Sequence, residues 1–174
     1  MTAIITPSWY VLHTRSRFES VVLEGLTKKS IEVFLPKVLV RSRRVDRKVM
    51  IRIPLFPGYL FVKSELTPRR HIEIVKTAGV VRLVGNQSGP LPVSPETIGS
   101  LKIMTAGDGK ILTGTVYKKG DRVIVISGPL EGVMGTFARS GKIGRVIVNI
   151  EALGQFASVE VDEEDIEVLT QKLS

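Results

Sequence analysis

Nine residues, PLFPGYLFV from Pro54 to Val62, constrain the fold more than any other stretch of the chain. Pro57 fixes its own φ and lacks an N–H, while Gly58 reaches backbone conformations barred to other residues, so the chain has to bend there. Leu60, Phe61 and Val62 then read as a strand. Phe56 and Tyr59 flank the bend. Aromatics in that position either fill a core or line a pocket for a partner, and the rest of the sequence favours the second use for at least one of them.

Elements of two kinds surround this bend. WYVLHT at 9–14 is rich in β-formers and leads into a helix signal, Ser16 with Glu19 three residues on, which is a capping-box pattern. Phe18, Val21, Val22 and Leu26 follow at helical spacing. Ile31–Leu35 reads as a short strand closed by Pro36. The stretch from Val38 to Ile53 reads as a two-stranded basic excursion or a loop. Thr67-Pro68 predicts a capped second helix with Ile72 and Val75 on one face, ended by Gly79, and Val80–Val84 returns as a strand. Ser94-Pro95-Glu96 repeats the cap-proline signature, with Ile98, Leu101 and Met104 inward. The order β-α-β-β-α-β with a closing helix predicts an α+β module of ferredoxin-like split type.

Periodicity lapses from Thr105 to Lys119, which reads as a linker. Beyond Gly120 every segment is strand-like: 122–126, 135–139, 146–150, 157–161 and 166–169, separated by glycine-rich turns, the pattern of a small β-barrel. The predicted organisation is a domain at 7–104, a linker at 105–119 and a second domain at 120–170. Charge follows the same division. Residues 1–104 carry 17 Lys/Arg and 7 Asp/Glu, residues 105–174 carry 8 and 10, and the whole chain has a net charge of +8. A basic first module implies an anionic partner.

The 174 residues contain no cysteine, which excludes disulfides, a thiol nucleophile and cysteine-based metal sites and fits a reducing cytoplasm. The first residues lack the charge and apolar run of a secretory signal, and no stretch of about 18 apolar residues occurs. The expectation is a cytoplasmic, non-enzymatic, monomeric protein with no cofactor or metal. His13 and His71 are the only histidines, and neither has a nucleophile to activate. The run Asp162-Glu163-Glu164-Asp165 reads as a solvated turn. Gly128, Gly132 and Gly135 lie between strands rather than between strand and helix, so the dinucleotide context fails. Leu130, on the glycine-flanked tip GPLEG, is either a partner contact or a self-packed loop. Seven basic residues, including Arg41, Arg43, Arg44 and Arg47, stand between 37 and 52 against the single acid Asp46. That stretch is either an electrostatic footprint for nucleic acid or a solvated hairpin. PGYLFVKS also matches part of an RNA-recognition strand, with Pro57 and Ser64 breaking the pattern.

Taken together, WYVLHT, the helix with Glu19, PLFPGYLFV, TAGVVRLVG at 77–85, GDRVIVISGPLEGVMGTF at 120–137 and the segment 154–161 resemble, in order, the blocks of the NusG family of transcription elongation factors. The wording of PLFPGYLFV and HIEIVKTAG is also similar to the specialised RfaH-like members. The resemblance implies an N-terminal NGN domain that binds the clamp helices of RNA polymerase and a C-terminal KOW barrel. On the matching positions, Trp9, Tyr10, Phe56, Tyr59 and Phe61 build the polymerase-binding depression. His71 and Thr77 approach the far side of the cleft, and Arg41, Arg43, Arg44 and Arg47 meet upstream DNA. In the KOW domain, Pro129, Leu130, Met134, Gly154, Gln155 and Phe156 occupy the loops that recruit Rho or a ribosomal small-subunit protein. Pausing and termination would be suppressed. The strand pattern beyond Gly120 predicts a barrel rather than the helical C-terminal form known for RfaH. Two other classes stay open on the sequence: a free-standing RNA-binding protein, and an enzyme acting through His13 or His71.

Overall fold

The computed structural model describes residues 6–43 and 49–169, and it divides into two compact units, one ending at Ser94 and the other beginning at Pro95.

In the first unit the chain runs β1 (Ser8–Thr14), α1 (Glu19–Lys28), β2 (Glu32–Phe34), β3 (Lys37–Arg41), β4 (Met50–Pro54), β5 (Tyr59–Ser64), α2 (Pro68–Val75) and β6 (Val80–Leu83). Three short strands follow: β7 (Gly85–Asn86), β8 (Gly89–Pro90) and β9 (Pro92–Val93). The main sheet has the antiparallel order β2-β5-β1-β6, with β9 also beside β1. Once the excursion β3–β4 is set aside, that is the strand order of the expected split βαβ module. The helices bury Val22, Leu26 and Ile74 against Leu12, Leu60 and Val62 of the sheet. At Gly25 an added Cβ would stand 2.9 Å from the Thr77 methyl, which marks a close approach of α1 to the end of α2. Lys29 tightens it, its Nζ donating to the Glu73 carbonyl and to Thr77 Oγ1, each at 2.9 Å.

Two details of the helices differ from expectation. Ser16 does not cap α1: the residue before the helix is Phe18, which makes no side-chain cap, and Arg17 takes a φ of 66°. A left-handed residue immediately before the first turn carries Ser16 out of register with the free N–H groups, and Glu19 is engaged elsewhere. Phe18 and Val21 are exposed, leaving Val22 and Leu26 as the inward positions. In α2, Thr67 caps as expected, its Oγ1 accepting from the Arg70 N–H at 3.3 Å. The fully buried residue there is Ile74, whereas Ile72 is half exposed, so the inward stripe lies two positions on from the predicted one.

The excursion is a two-stranded ribbon in which β3 and β4 pair only with each other among the described residues, from Lys37↔Pro54 to Arg41↔Met50. Its base is fixed by a bond from the Leu55 N–H to the Pro36 carbonyl, 2.8 Å.

The second unit opens with α3 (Pro95–Ala106), which buries Ile98, Leu101 and Met104 as predicted, although the sequence pattern placed this helix at the close of the first module. It continues with β10 (Ile111–Thr115), β11 (Arg122–Val125), β12 (Met134–Ser140), β13 (Ile143–Ile150), β14 (Gln155–Val161) and β15 (Ile166–Val168). All neighbours are antiparallel, in the order β10-β14-β13-β12-β11-β15. The five expected strands are present, and the segment read as a linker supplies a sixth, β10, along the outer edge of β14. Gly114 explains the pairing. It faces Phe156, and a Cβ at Gly114 would lie 2.8 Å from that ring, so the aromatic lies flat over the strand only because no side chain stands there. Asn149 holds the chain beyond β10, accepting from the Tyr117 N–H and donating to the Tyr117 carbonyl. The Ser100 hydroxyl of α3 likewise meets both the N–H and the carbonyl of Met134. After Ala106 the described chain is strand and turn, with single helical turns at Glu151–Leu153 and Glu163–Asp165. No helix among the described residues is long and apolar enough to cross a membrane.

Gly114→Val tests the sixth strand. The new side chain has to displace Phe156, which is expected to lower stability to urea by about 1–3 kcal/mol. A variant as stable as the parent means that β10 does not lie against β14.

Candidate functional site

The bend at 56–59 is a tight turn. The Tyr59 N–H donates to the Phe56 carbonyl at 3.0 Å, and Gly58 has a φ of 85°. With proline at the second position and a left-handed glycine at the third, it has the form of a type II turn. A Cβ on Gly58 would meet nothing nearer than 3.9 Å, so glycine is required there for its conformation and not for space. Both backbone groups of Gly58 are held: its N–H donates to Glu19 Oε1 at 2.8 Å, and its carbonyl accepts from the Thr14 N–H at 2.8 Å. Glu19 is only 7% exposed, so a buried carboxylate on the first helix anchors the turn.

The turn delivers Tyr59 opposite His13 on β1, and the register continues Leu12↔Leu60, Val11↔Phe61, Tyr10↔Val62 and Trp9↔Lys63. Alternation then sorts the aromatics. Tyr10 falls on the helix-covered face and packs against the core there. Trp9, His13, Tyr59 and Phe61 fall on the other face. The rings of His13 and Tyr59 stack at 5.0 Å and are half-buried. Phe61 is sealed between Phe34, at 6.0 Å, and Phe56, edge-on at 6.5 Å. Phe56 and Phe61 are buried, as is Trp9, which carries the Lys63 ammonium 6.0 Å from its ring centre. Beside the His13–Tyr59 stack is an open depression of about 560 Å³, bordered by Arg17, Glu19, Pro54 and Pro57.

The structure therefore brings Tyr59, Phe56 and Phe61 together, with Tyr59 outermost, and separates Tyr10 from them. His71 is exposed on α2, while Thr77 is buried and donates its hydroxyl to the Glu73 carbonyl. His13 was not among the residues expected to bind a partner. Its position opposite the tyrosine that follows the Pro-Gly bend, on the same face of two paired strands, was the signal available for it.

Arg41 and Arg43 are exposed on the ribbon, and Arg44 and Arg47 lie outside the described residues. In the second unit Thr136 pairs with Ile147 across antiparallel strands, so Met134 and Ile150 lie at the same end of the sheet. The turn holding Pro129 and Leu130 and the turn leading into Gln155 and Phe156 emerge there together. Gly154 makes the second turn with a φ of 64°. Leu130 is half-buried, in a loop closed by bonds from Glu131 N–H to the Gly128 carbonyl and from Val133 N–H to the Leu130 carbonyl, each 3.1 Å. The acidic run is partly tied down: Asp165 accepts from the Ser127 hydroxyl at 2.6 Å, and Glu163 pairs with Arg139. Among the described residues no group of three or more histidines and carboxylates is placed to hold a metal.

Residues 7–102, more than half of the chain, match the family model described as NusG, transcription termination factor. The chain belongs to the NusG family. The transcription termination/antitermination protein NusG of Thermus thermophilus is 30% identical over 173 residues, covering 88% of this chain and 94% of its own. The Bacillus subtilis protein of the same name is 28% identical over 178 residues, covering 93% and 98%. A solved structure of Thermotoga maritima NusG superposes with a TM-score of 0.54 at 22% identity, over 97% of this chain and all of that one, and so shares its fold. The functional class of the chain is that of its relatives, a transcription termination/antitermination factor.

Replacing Glu19 by alanine leaves the partly buried Gly58 N–H without its acceptor, at a cost of about 1 kcal/mol. Thermal unfolding should show it. A Glu19→Gln variant keeps an acceptor oxygen and should recover most of the loss, whereas equal loss in both would mean that the carboxylate charge, and not the hydrogen bond, is what matters.

Proposed function

We propose that this NusG-family chain is an elongation factor that binds the clamp helices of RNA polymerase through the His13–Tyr59 face of its first unit and suppresses pausing and termination. The observation that carries this reading is the pairing of two half-exposed, stacked rings with a floor of buried aromatics. Binding energy in protein interfaces concentrates in rigid aromatic anchors beside water-excluded surface, and Tyr59 and His13 have that setting. Phe56 and Phe61 form the buried floor beside the two rings, and Trp9 lies further along the same face of β1. Tyr10 supports the same sheet from the helix side. His71, exposed on α2, and Thr77, which fixes the end of that helix, belong to a second contact across the cleft. The arginines of the ribbon face upstream DNA.

The second unit recruits a further factor, Rho or a ribosomal small-subunit protein. Its contact surface comprises the two turns at one end of the sheet, with Pro129, Leu130 and Met134 on one side and Gly154, Gln155 and Phe156 on the other. Nothing in this reading calls for catalysis: His13 is occupied in a ring stack, and the family's named role is regulatory.

The test is a titration of the full chain against a stalled elongation complex and, in parallel, against the same DNA and RNA without polymerase. Tyr59→Ala and His13→Ala should each weaken binding to the complex by about tenfold or more with little change in thermal stability. Undiminished affinity in both variants, or equal binding to the bare nucleic acids, would overturn the proposal.

A further inference from the structure

The ribbon β3–β4 has two unlike faces. Pairs Val38↔Ile53 and Val40↔Ile51 make one of them wholly β-branched and apolar. On the other, Leu39 stands opposite Arg52 and Arg41 opposite Met50, with Lys37 at the base. Directly opposed residues share a face, so these four side chains form a checkerboard, apolar on one diagonal and cationic on the other. Leu39 is 48% and Met50 53% exposed, set among charges, while Ile51 and Ile53 of the other face are 42% and 37% exposed. Among the described residues no carboxylate pairs with Lys37, Arg41, Arg43 or Arg52.

An anionic partner must satisfy both diagonals. Single-stranded nucleic acid is bound on aromatic platforms, and residues 37–53 contain no aromatic. Reading base edges in the major groove needs hydrogen-bonding groups in the middle of the face, where this ribbon has Leu39 and Met50. The minor groove fits the pattern. There, leucine and methionine act as wedges that part a base step, and arginine is drawn to the negative potential of the groove and to the phosphates on its rim. Diagonal partners on a ribbon stand about 7–8 Å apart at their backbones. That is close to two base steps of about 3.4 Å each.

We propose that the outward face of the β3–β4 ribbon enters the minor groove of duplex DNA, with Leu39 and Met50 wedged against base steps and Arg41 and Arg52 bound to the groove and its phosphates. The inference deepens the proposed function, resting on the reading that this chain works where polymerase holds DNA, and it assigns roles to Leu39, Met50 and Arg52. Flexible pyrimidine–purine steps are the favoured sites, because they unstack at least cost.

The experiment binds the full chain to an elongation complex whose upstream duplex carries 2-aminopurine at successive thymine–adenine steps, and to the same duplex alone at low salt. Unstacking raises the fluorescence of 2-aminopurine, so a several-fold rise on binding is expected, abolished by the minor-groove ligand netropsin. A Leu39→Ser, Met50→Ser double variant should stay associated with the complex and lose the rise. An Arg41→Ala, Arg52→Ala variant should reduce the salt dependence of duplex binding by about two ionic contacts. Association without a rise, a rise that survives netropsin, or single-stranded RNA competing as well as duplex would overturn the proposal. Failure to associate with the elongation complex, with fluorescence still rising on the duplex alone, removes the polymerase reading and leaves the ribbon's role standing; silence in both removes the ribbon's role as well.

Discussion

The hydrogen bond from the Gly58 N–H to the buried Glu19 carboxylate, only 2.8 Å long and itself partly buried, ties the first helix to the turn from which β5 starts. An N–H in that position has to find an acceptor, and a buried carboxylate has to find donors, so each group is costly without the other. With the Gly58 carbonyl also fixed by the Thr14 N–H, the residue cannot slide along β1. Register follows from that anchoring. Side chains alternate across a strand, so a slip of one residue would send Leu60 and Val62 out of the helix-side core and turn Phe61 into it. The pairing of His13 with Tyr59 and the sealing of Phe61 by Phe34 and Phe56 both depend on this one arrangement.

The same bond shows why part of the fold was legible in the sequence and part was not. Ser16-x-x-Glu19 satisfies the local pattern of a capping box, yet the carboxylate serves a backbone N–H 39 residues away, and no local pattern records that. Thr67-Pro68 was legible because its function is local: the Thr67 hydroxyl caps the turn that follows it. Strand order in the first unit could be read from the alternation of elements, since connections are short and neighbours antiparallel. β10 could not. The three glycines of the 105–119 stretch signal a linker when taken alone, and only the ring of Phe156, 42 residues on, makes Gly114 a strand residue. Ile72 was misread for a related reason, because a short helix with few apolar residues leaves its inward stripe to be set by what it packs on.

The candidate site was legible as a cluster of aromatics but not as a surface. Of the five aromatic positions singled out, Trp9, Phe56 and Phe61 are buried and Tyr10 lies on the far face of the sheet, which leaves Tyr59 outermost. Composition could not rank them, since exposure is decided by strand parity and by the turn. In the sequence His13 stands only as a histidine with no nucleophile to activate, whereas in the fold its flat ring stacks on a tyrosine.

Ribbon and aromatic face are also one continuous piece of chain. β4 ends at Pro54, and the turn that aims Tyr59 begins two residues later, with buried Leu55 between them and its N–H fixed to the Pro36 carbonyl. That bond is a fulcrum. Beyond it the ribbon pairs only with itself among the described residues, and an isolated two-stranded hairpin is marginal in water, so the ribbon can adapt its twist to a partner. Behind it the turn is held by Glu19 and Thr14 and cannot adapt. An adjustable arm rooted in a rigid anchor allows one surface to be fixed in geometry while the other follows whatever lies beside it, and in this chain the single residue Leu55 separates the two behaviours.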